Sequence, residues 1–155
     1  MWQAGRRRRR AGLPSGRVIY SDTRLWGKVD APLYYAPLQL TGKPDYIVRH
    51  GEGIVPVEVK SGRAPAAPYD SHVYQLAAYC LLIEKIYGKR PAFGIVHYSD
   101  KDFAIDYTAE LEASLLRLLE EMRQDESSAD VARSHDQARR CARCGFRNVC
   151  DQSLA

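Results

Sequence analysis

The sequence has no apolar stretch that approaches the length of a membrane span, and its N-terminal arginines are not followed by a hydrophobic signal core. These absences argue against an integral membrane protein and against a secreted one. Internal repeats are also lacking, and no extended low-complexity segment occurs beyond the arginine run Arg6–Arg10. With 155 residues, 45% of them hydrophobic and 27% charged, the composition fits one soluble domain in a reducing cytoplasm.

Cysteine is scarce, with four residues, and three of them lie close together near the C-terminus. Cys141 and Cys144 form a CxxC pair, and Cys150 follows after five further residues. Without a secretory signal, this spacing indicates metal ligands more often than a disulfide framework. His135 could complete a Cys₃His zinc site. The fourth cysteine, Cys80, lies in a predicted apolar helix and is expected to be a packing residue.

Positive charge is concentrated at the two ends of the chain. The net charge is +4, and the five arginines of Arg6–Arg10 alone exceed it. This distribution suits contact with a polyanion, although an arginine run is equally typical of a disordered, solvated tail. We interpret residues 1–17 as a basic, disordered arm. Further arginines accompany the C-terminal cysteines: Arg139, Arg140, Arg143 and Arg147.

The most informative segment places Asp45 ahead of the triplet Glu58-Val59-Lys60, with a predicted hairpin between them. Residues 46–50 and 54–59 are β-prone, and the glycines between them suit a tight turn. The two carboxylates then lie at the same end of neighbouring antiparallel strands. Because side chains alternate along a strand, Glu58 and Lys60 share one face.

This group of side chains suits a hard divalent cation. Asp45, Glu58 and the backbone carbonyl of Val59 supply oxygen ligands for Mg²⁺ or Mn²⁺. Lys60 would orient a water molecule and offset developing negative charge, which predicts phosphodiester hydrolysis. The alternative is that Glu58 and Lys60 form an exposed ion pair on a strand edge.

Asp45 has a rival in Asp30, which stands in the same GKxD pattern. Asp30 is separated from Glu58 by far more than one hairpin, so Asp45 is preferred as the metal ligand. We interpret Asp30 as a turn residue ahead of Pro32.

Downstream, a helix is predicted with Asp70 as its N-cap, running to about Tyr87 and ending at Gly88. Gln75 and Tyr79 lie four residues apart and therefore on one face of this helix. Taken alone, they would be a partly buried glutamine and a core tyrosine. Their closeness to the Asp-and-Glu-x-Lys segment favours a functional role instead.

The strings VPVEVKSG and HVYQLAAYCLLIE resemble the RecB-like branch of the PD-(D/E)XK nuclease superfamily, and HDQARRCARCGFRNVCDQ resembles the ending of the CRISPR-associated exonucleases. The resemblance covers the chain from about Gly42 to Cys150. It implies an α/β/α core with a mixed central sheet and a cysteine-rich C-terminal tail. It also implies that Gln75 and Tyr79 support the catalytic site and help hold the nucleic acid.

The same resemblance implies a cofactor, a substrate and partners. Cys141, Cys144 and Cys150 would bind an iron-sulfur cluster, of 4Fe–4S type, with zinc or a three-cysteine cluster as alternatives. Such a group would pin a short tail that buries too little apolar surface to fold alone. The substrate would be DNA with single-stranded ends, trimmed in the prokaryotic cytoplasm as new spacers are acquired together with CRISPR integrase proteins.

One departure from that family concerns the region before Asp45. The family has a fourth cysteine and a histidine metal ligand there, whereas this sequence has neither. We expect that an N-terminal segment has been lost or replaced. A second hypothesis follows, in which the chain is a catalytically impaired DNA-binding or scaffolding subunit. A third is a RecB-like DNA repair nuclease without a CRISPR link.

The remaining segments complete the predicted organisation. Residues 92–98 and 102–107 read as a second hairpin, and Thr108 caps a helix through about Gln124. We assign residues 18–126 to the nuclease core and residues 127–155 to a linker and metal-binding tail. The last helix carries an apolar stripe expected to face the core: Leu111, Leu115, Leu118, Leu119 and Met122.

Overall fold

A computed structural model of the chain describes residues 16–19, 26–50 and 53–154. The described residues up to Leu118 form one compact unit, and those from Leu119 onward form a second. The strands are β1 (Arg17–Ile19), β2 (Trp26–Lys28), β3 (Leu33–Tyr35), β4 (Leu40–Gly42), β5 (Tyr46–His50), β6 (Gly53–Lys60), β7 (Phe93–Tyr98) and β8 (Asp102–Asp106). The helices are α1 (Asp70–Tyr87), α2 (Ala109–Ser127) and α3 (Ala138–Ala142), with short 3₁₀ turns at Ala36–Leu38 and Arg147–Val149.

The first unit is built on a six-stranded sheet in the order β1-β8-β7-β6-β5-β2. Strands β6 and β7 pair in parallel, and every other neighbouring pair in this sheet is antiparallel. A parallel pair needs a crossover, which α1 provides by packing on β6 and β7. Strands β3 and β4 form a separate ribbon against the same helix. The mixed sheet with flanking helices confirms the predicted α/β class.

Both predicted hairpins are present as antiparallel pairs. Strands β5 and β6 pair from Tyr46 opposite Val57 to His50 opposite Gly53, and β7 pairs with β8. The predicted turn residues Gly51 and Glu52 lie outside the described residues. The hairpin prediction rested on the β-prone runs and the glycines between them, and the observed register sets Asp45, just before β5, level with Glu58.

The predicted ends of the helices are partly right. At the end of α1, Gly88 adopts a left-handed conformation with φ of 66°, and its N–H donates to the carbonyl of Glu84 at 3.0 Å. The helix therefore ends at the glycine where the sequence predicted its end. The prediction of Asp70 as N-cap was wrong, because Tyr69 is the N-cap and Asp70 is the first helical residue. Thr108 does cap α2, accepting a hydrogen bond from Leu111 N at 3.2 Å.

The core lies between α1 and the sheet. Cys80 is 1% exposed and burial strongly raises the pKa of its thiol, so it is the packing residue that the sequence predicted. The predicted stripe of α2 was only partly right, since Leu111 and Leu115 are buried whereas Met122 is 58% exposed. Among the described helices, none combines the length and apolar character needed to cross a membrane.

Candidate active site

Asp45 is fixed against the end of strand β6. One of its carboxylate oxygens, Oδ2, accepts a hydrogen bond from the backbone N–H of Val59 at 2.8 Å. Val59 stands between Glu58 and Lys60, so this bond places an exposed carboxylate beside the Glu-x-Lys triplet. Sequence reasoning expected only the carbonyl of Val59 to take part. Its amide is what ties Asp45 to the strand, and the sequence carried no signal for that bond.

Four side chains from β6 and α1 form one hydrogen-bonded network. Lys60 Nζ donates to Glu58 Oε1 at 2.8 Å and to Gln75 Oε1 at 3.0 Å. Gln75 Nε2 donates to Glu58 Oε1 at 2.9 Å and to the Tyr79 hydroxyl at 2.8 Å. The Gln75 amide contacts both the carboxylate of Glu58 and the ammonium of Lys60. The structure therefore brings together four residues that were named from the sequence: Glu58, Lys60, Gln75 and Tyr79.

The network explains how a carboxylate is accommodated in the interior. The side chain of Glu58 is 9% exposed and that of Lys60 is 26% exposed, and β6 is an inner strand of the sheet. These facts contradict the alternative of an exposed ion pair on a strand edge. Burying a charge is costly unless it is paired and hydrogen-bonded, and here Lys60 and Gln75 supply both kinds of partner.

Tyr79 closes the inner end of the network. Burial raises the pKa of Tyr79 to about 12, the hydrogen bond from Gln75 opposes this, and the charges of Glu58 and Asp45 raise it further. The hydroxyl therefore keeps its proton at neutral pH. Because it accepts from Gln75, it helps to hold that amide in the orientation that serves both Glu58 and Lys60.

A histidine that sequence reasoning missed lies one helical turn before Gln75 on α1. His72 precedes Gln75 by three residues, so both share one face of α1. Its Nδ1 lies 2.7 Å from the hydroxyl of Tyr98, the residue paired with Lys60 on strand β7. Burial, and then the charge of Lys60, lower the pKa of His72. The three-residue spacing to Gln75 was the available signal.

The loop that follows Lys60 is tied to the turn between β7 and β8. Asp100 accepts from the backbone N–H of Ala64 at 2.7 Å and from Arg63 Nε at 3.2 Å. Ser99 donates to the carbonyl of Gly62 at 3.2 Å. The pKa of Asp100 is lowered, chiefly by the Ala64 bond. These contacts fix the loop that leads from the candidate site to α1.

Asp30, the rival for Asp45, belongs to different surroundings. Its backbone carbonyl accepts from Lys43 Nζ at 2.9 Å, and it lines a cavity together with Arg49 and Tyr87. Within the described residues, no hydrogen bond links its carboxylate to Glu58. The structure thus gives Asp30 no part in the network.

Among the described residues, the three C-terminal cysteines are not gathered into one group. Cys141 is buried and its sulfur accepts a hydrogen bond from Leu154 N at 3.4 Å, whereas Cys144 and Cys150 are exposed. The ring of His135 accepts from Gln137 N at 3.2 Å. Across residues 16–19, 26–50 and 53–154, no three His, Cys, Asp or Glu side chains are gathered as a metal site.

The Asp45 and Glu58 pair supplies two carboxylates at one end of the β5–β6 hairpin. It still fits Mg²⁺ or Mn²⁺ chemically, because Mg²⁺ binds through one or two carboxylates, retains several waters and takes further oxygens from substrate phosphates.

Comparisons with known proteins bear on the fold and family of the chain. The chain matches the sequence model of the PD-(D/E)XK nuclease superfamily over residues 2–151. A solved structure titled "Crystal structure of SSO0001" is similar, with 21% sequence identity and a TM-score of 0.50. The similarity covers 74% of this chain and 52% of that one, so the chain spans about half the length of that relative. No match was found among curated proteins. The structural likeness supports the fold alone.

Proposed function

This chain belongs to the PD-(D/E)XK nuclease superfamily, and from that membership we propose that it is a metal-dependent deoxyribonuclease acting at Asp45, Glu58 and Lys60. Members of the superfamily are usually metal-dependent nucleases. The observation that carries the proposal is the ammonium of Lys60, 2.8 Å from Glu58 and 3.0 Å from Gln75, on the strand whose backbone binds Asp45.

The metal ligands in this proposal are the carboxylates of Asp45 and Glu58 and the carbonyl of Val59. A bound Mg²⁺ or Mn²⁺ would acidify a water molecule and neutralise charge on the phosphate. The hydrogen bond from Val59 N leaves Asp45 with further lone pairs for a ligand, since a carboxylate accepts at about four positions. Glu58 likewise uses Oε1 for both Lys60 and Gln75.

Lys60 is positioned to act on the attacking water or on a phosphate oxygen. An ammonium has three N–H groups, and within the described part of the chain two of them donate to Glu58 and Gln75. The third is available to a substrate group, where it can orient the nucleophile and stabilise the negative charge that develops. Gln75 and Tyr79 act through Lys60 and Glu58 by fixing their orientation.

The proposed substrate, cellular role and partners rest on the resemblance of the sequence to the CRISPR-associated exonucleases. We propose single-stranded DNA ends as substrate, prespacer trimming as the cellular role and CRISPR integrase proteins as partners, in the cytoplasm of a prokaryote. A second candidate is the catalytically impaired DNA-binding or scaffolding subunit. It differs from the first in predicting DNA binding without cleavage.

Metal removal tests the proposed activity. With Mn²⁺ or Mg²⁺, the purified protein should degrade end-labelled single-stranded DNA, excess EDTA should stop the reaction, and restored metal should recover it. The reason is that two carboxylates and one ammonium cannot by themselves generate the nucleophile that a bound cation supplies. Product sizes on a denaturing gel are the measurement, with 5′- and 3′-labelled strands and a duplex control to define the substrate.

Degradation that continues in EDTA would contradict the metal-dependent reaction. Binding of the same DNA without cleavage under any metal would favour the scaffolding subunit.

By the same resemblance of the sequence, Cys141, Cys144 and Cys150 bind an iron-sulfur cluster in this proposal, and absorption spectroscopy tests that assignment. Anaerobically purified protein should be brown with a broad visible absorption band, and Cys144→Ser should abolish that band. Cys80→Ala is the matched control, since Cys80 is a core residue and should leave the band unchanged. A colourless protein that contains zinc by elemental analysis would overturn the iron-sulfur assignment.

A further inference from the structure

His72 and Tyr69 lie ahead of Gln75 on α1, toward the start of the helix and away from Tyr79. His72 is bound through Nδ1 to Tyr98, and Tyr98 is paired with Lys60 across β6 and β7. The rings of Tyr69 and His72 are perpendicular, at 85°, with centroids 5.3 Å apart. The order along α1 is therefore Tyr69, His72, Gln75 and Tyr79, so His72 and Tyr69 extend the row of Gln75 and Tyr79 toward the start of the helix.

The contact with Tyr98 determines what the other ring nitrogen of His72 can offer. Burial and the nearby charge of Lys60 both lower the pKa of His72, which favours the neutral ring near neutral pH. A neutral imidazole has one N–H, and the hydroxyl of Tyr98 can donate to Nδ1. In the tautomer in which Tyr98 donates to Nδ1, the proton resides on Nε2. Within the described part of the chain, no partner of Nε2 is found, so this N–H is available to a ligand.

Tyr69 gives the same region an accessible aromatic surface. It is 59% exposed although it is the N-cap residue of a helix whose interior positions are mostly buried. Aromatic side chains stack on bases of single-stranded nucleic acid without regard to sequence. A hydrogen-bond donor and an exposed ring, side by side and adjacent to Lys60, match the two parts of one nucleotide.

We infer that His72 and Tyr69 form a subsite for the nucleotide next to the scissile bond: His72 Nε2–H donates to the neighbouring phosphate, and the base stacks on Tyr69. This inference rests on the proposed nuclease function and adds to it a binding position on the Lys60 side of the centre. The competing explanation is that His72 only connects α1 to strand β7 through Tyr98.

The test uses single-stranded DNA in which one phosphate is replaced by an uncharged methylphosphonate. Gel mapping identifies the bond that the protein cuts, and the neutral linkage is placed on either side of that bond in turn. At one of the two positions, wild-type cleavage should fall about tenfold, because a hydrogen bond to a charged phosphate is lost. His72→Ala should lower kcat/KM on unmodified DNA by a similar factor, mainly through KM.

The decisive result comes from testing the His72 variants on the substrate that carries the neutral linkage. If His72 contacts that phosphate, the neutral linkage should cause no further loss in His72→Ala, and His72→Gln, whose amide can donate, should recover part of the activity. An equal additional loss in wild type and variant would overturn the inference. Tyr69→Ala should weaken binding of a strand with a base at this position and should spare one with an abasic site there.

Two controls separate this inference from the proposed function. His97→Ala is the matched histidine variant, since His97 is paired with Val59 and so lies on the opposite face of the sheet from Tyr98; it should leave the linkage effect intact. Thermal unfolding of each variant reports folding. If wild type cleaves but the linkage effect does not depend on His72, only the subsite inference is contradicted. If wild type does not cleave with metal, the nuclease proposal fails and the subsite falls with it.

Discussion

Lys60→Ala should abolish DNA cleavage, with a loss of kcat on the order of a thousandfold or more. The ammonium lies 2.8 Å from Glu58 and 3.0 Å from Gln75, and its remaining N–H is the donor that this site offers to a nucleophile or a phosphate oxygen. Asp45→Ala should have a comparable effect, because it removes one of two carboxylates from the proposed cation site. The measurement is single-turnover cleavage of labelled single-stranded DNA with Mn²⁺.

Both variants have matched controls in the same chain. Asp30→Ala removes an exposed aspartate from the same GKxD pattern, and Lys85→Ala removes a lysine of α1 that pairs with Glu84. Neither residue belongs to the hydrogen-bonded network, so cleavage should be close to wild type. Equal residual degradation by Lys60→Ala, Asp45→Ala and wild type would indicate a contaminating nuclease and would contradict the proposal.

Loss of Lys60 also leaves the buried Glu58 without its cationic partner, which is expected to destabilise the fold. Thermal unfolding and DNA binding in Ca²⁺ therefore accompany the kinetics. Lys60→Met, which retains the apolar stem, separates the loss of packing from the loss of charge. It lacks the ammonium just as Lys60→Ala does, so it should be inactive, and any stability it regains over Lys60→Ala measures the packing of the stem.

Much of the first unit followed from signals that are local in the chain. The β-prone runs around residues 46–59 predicted the hairpin, and side-chain alternation placed Glu58 and Lys60 on one face. Gly88 ended α1 where its sequence position suggested, because glycine accepts the left-handed conformation. The N-cap assignment failed at Asp70 because a carboxylate near a helix start is favourable in the first turn as well as at the cap.

What the sequence did not reveal depends on contacts between distant residues. The pairing of β6 with β7 brings Tyr98 beside Lys60. The residues around Tyr98 in the sequence do not predict this contact. The bond from Val59 N to Asp45 and the position of His72 depend on the same tertiary arrangement. Spacing alone also suggested that Cys141, Cys144 and Cys150 would come together, but spacing does not fix where the sulfur atoms point.

A second large effect is expected from a single methyl group at Gly94, on strand β7. A Cβ added there would lie 2.5 Å from Leu76 Cγ, and Leu76 is 1% exposed in the layer between α1 and the sheet. Real Cβ contacts are essentially never that short, so the helix or the strand must move. Gly94→Ala should therefore destabilise the protein by about 1–3 kcal/mol, measured as the free energy of unfolding in urea.

Gly62→Ala is the matched control, because an added Cβ meets nothing within 4 Å at that position. The two alanine variants differ only in whether the new methyl meets Leu76, so a similar free energy of unfolding for both would contradict the packing of α1 on β7. The double variant Gly94→Ala with Leu76→Ala should lose less than the sum of the two single losses, since shortening Leu76 removes the clash.

The Gly94→Ala substitution should also affect the candidate active site. Leu76 adjoins Gln75 on α1, and Gln75 is the residue whose amide contacts both Lys60 and Glu58. A displaced helix therefore misplaces that amide even when the protein remains folded. Gly94→Ala should show reduced kcat at a temperature where it is fully native, and Gly62→Ala should not. Close packing at a position without any functional group thus controls the orientation of the proposed catalytic ammonium.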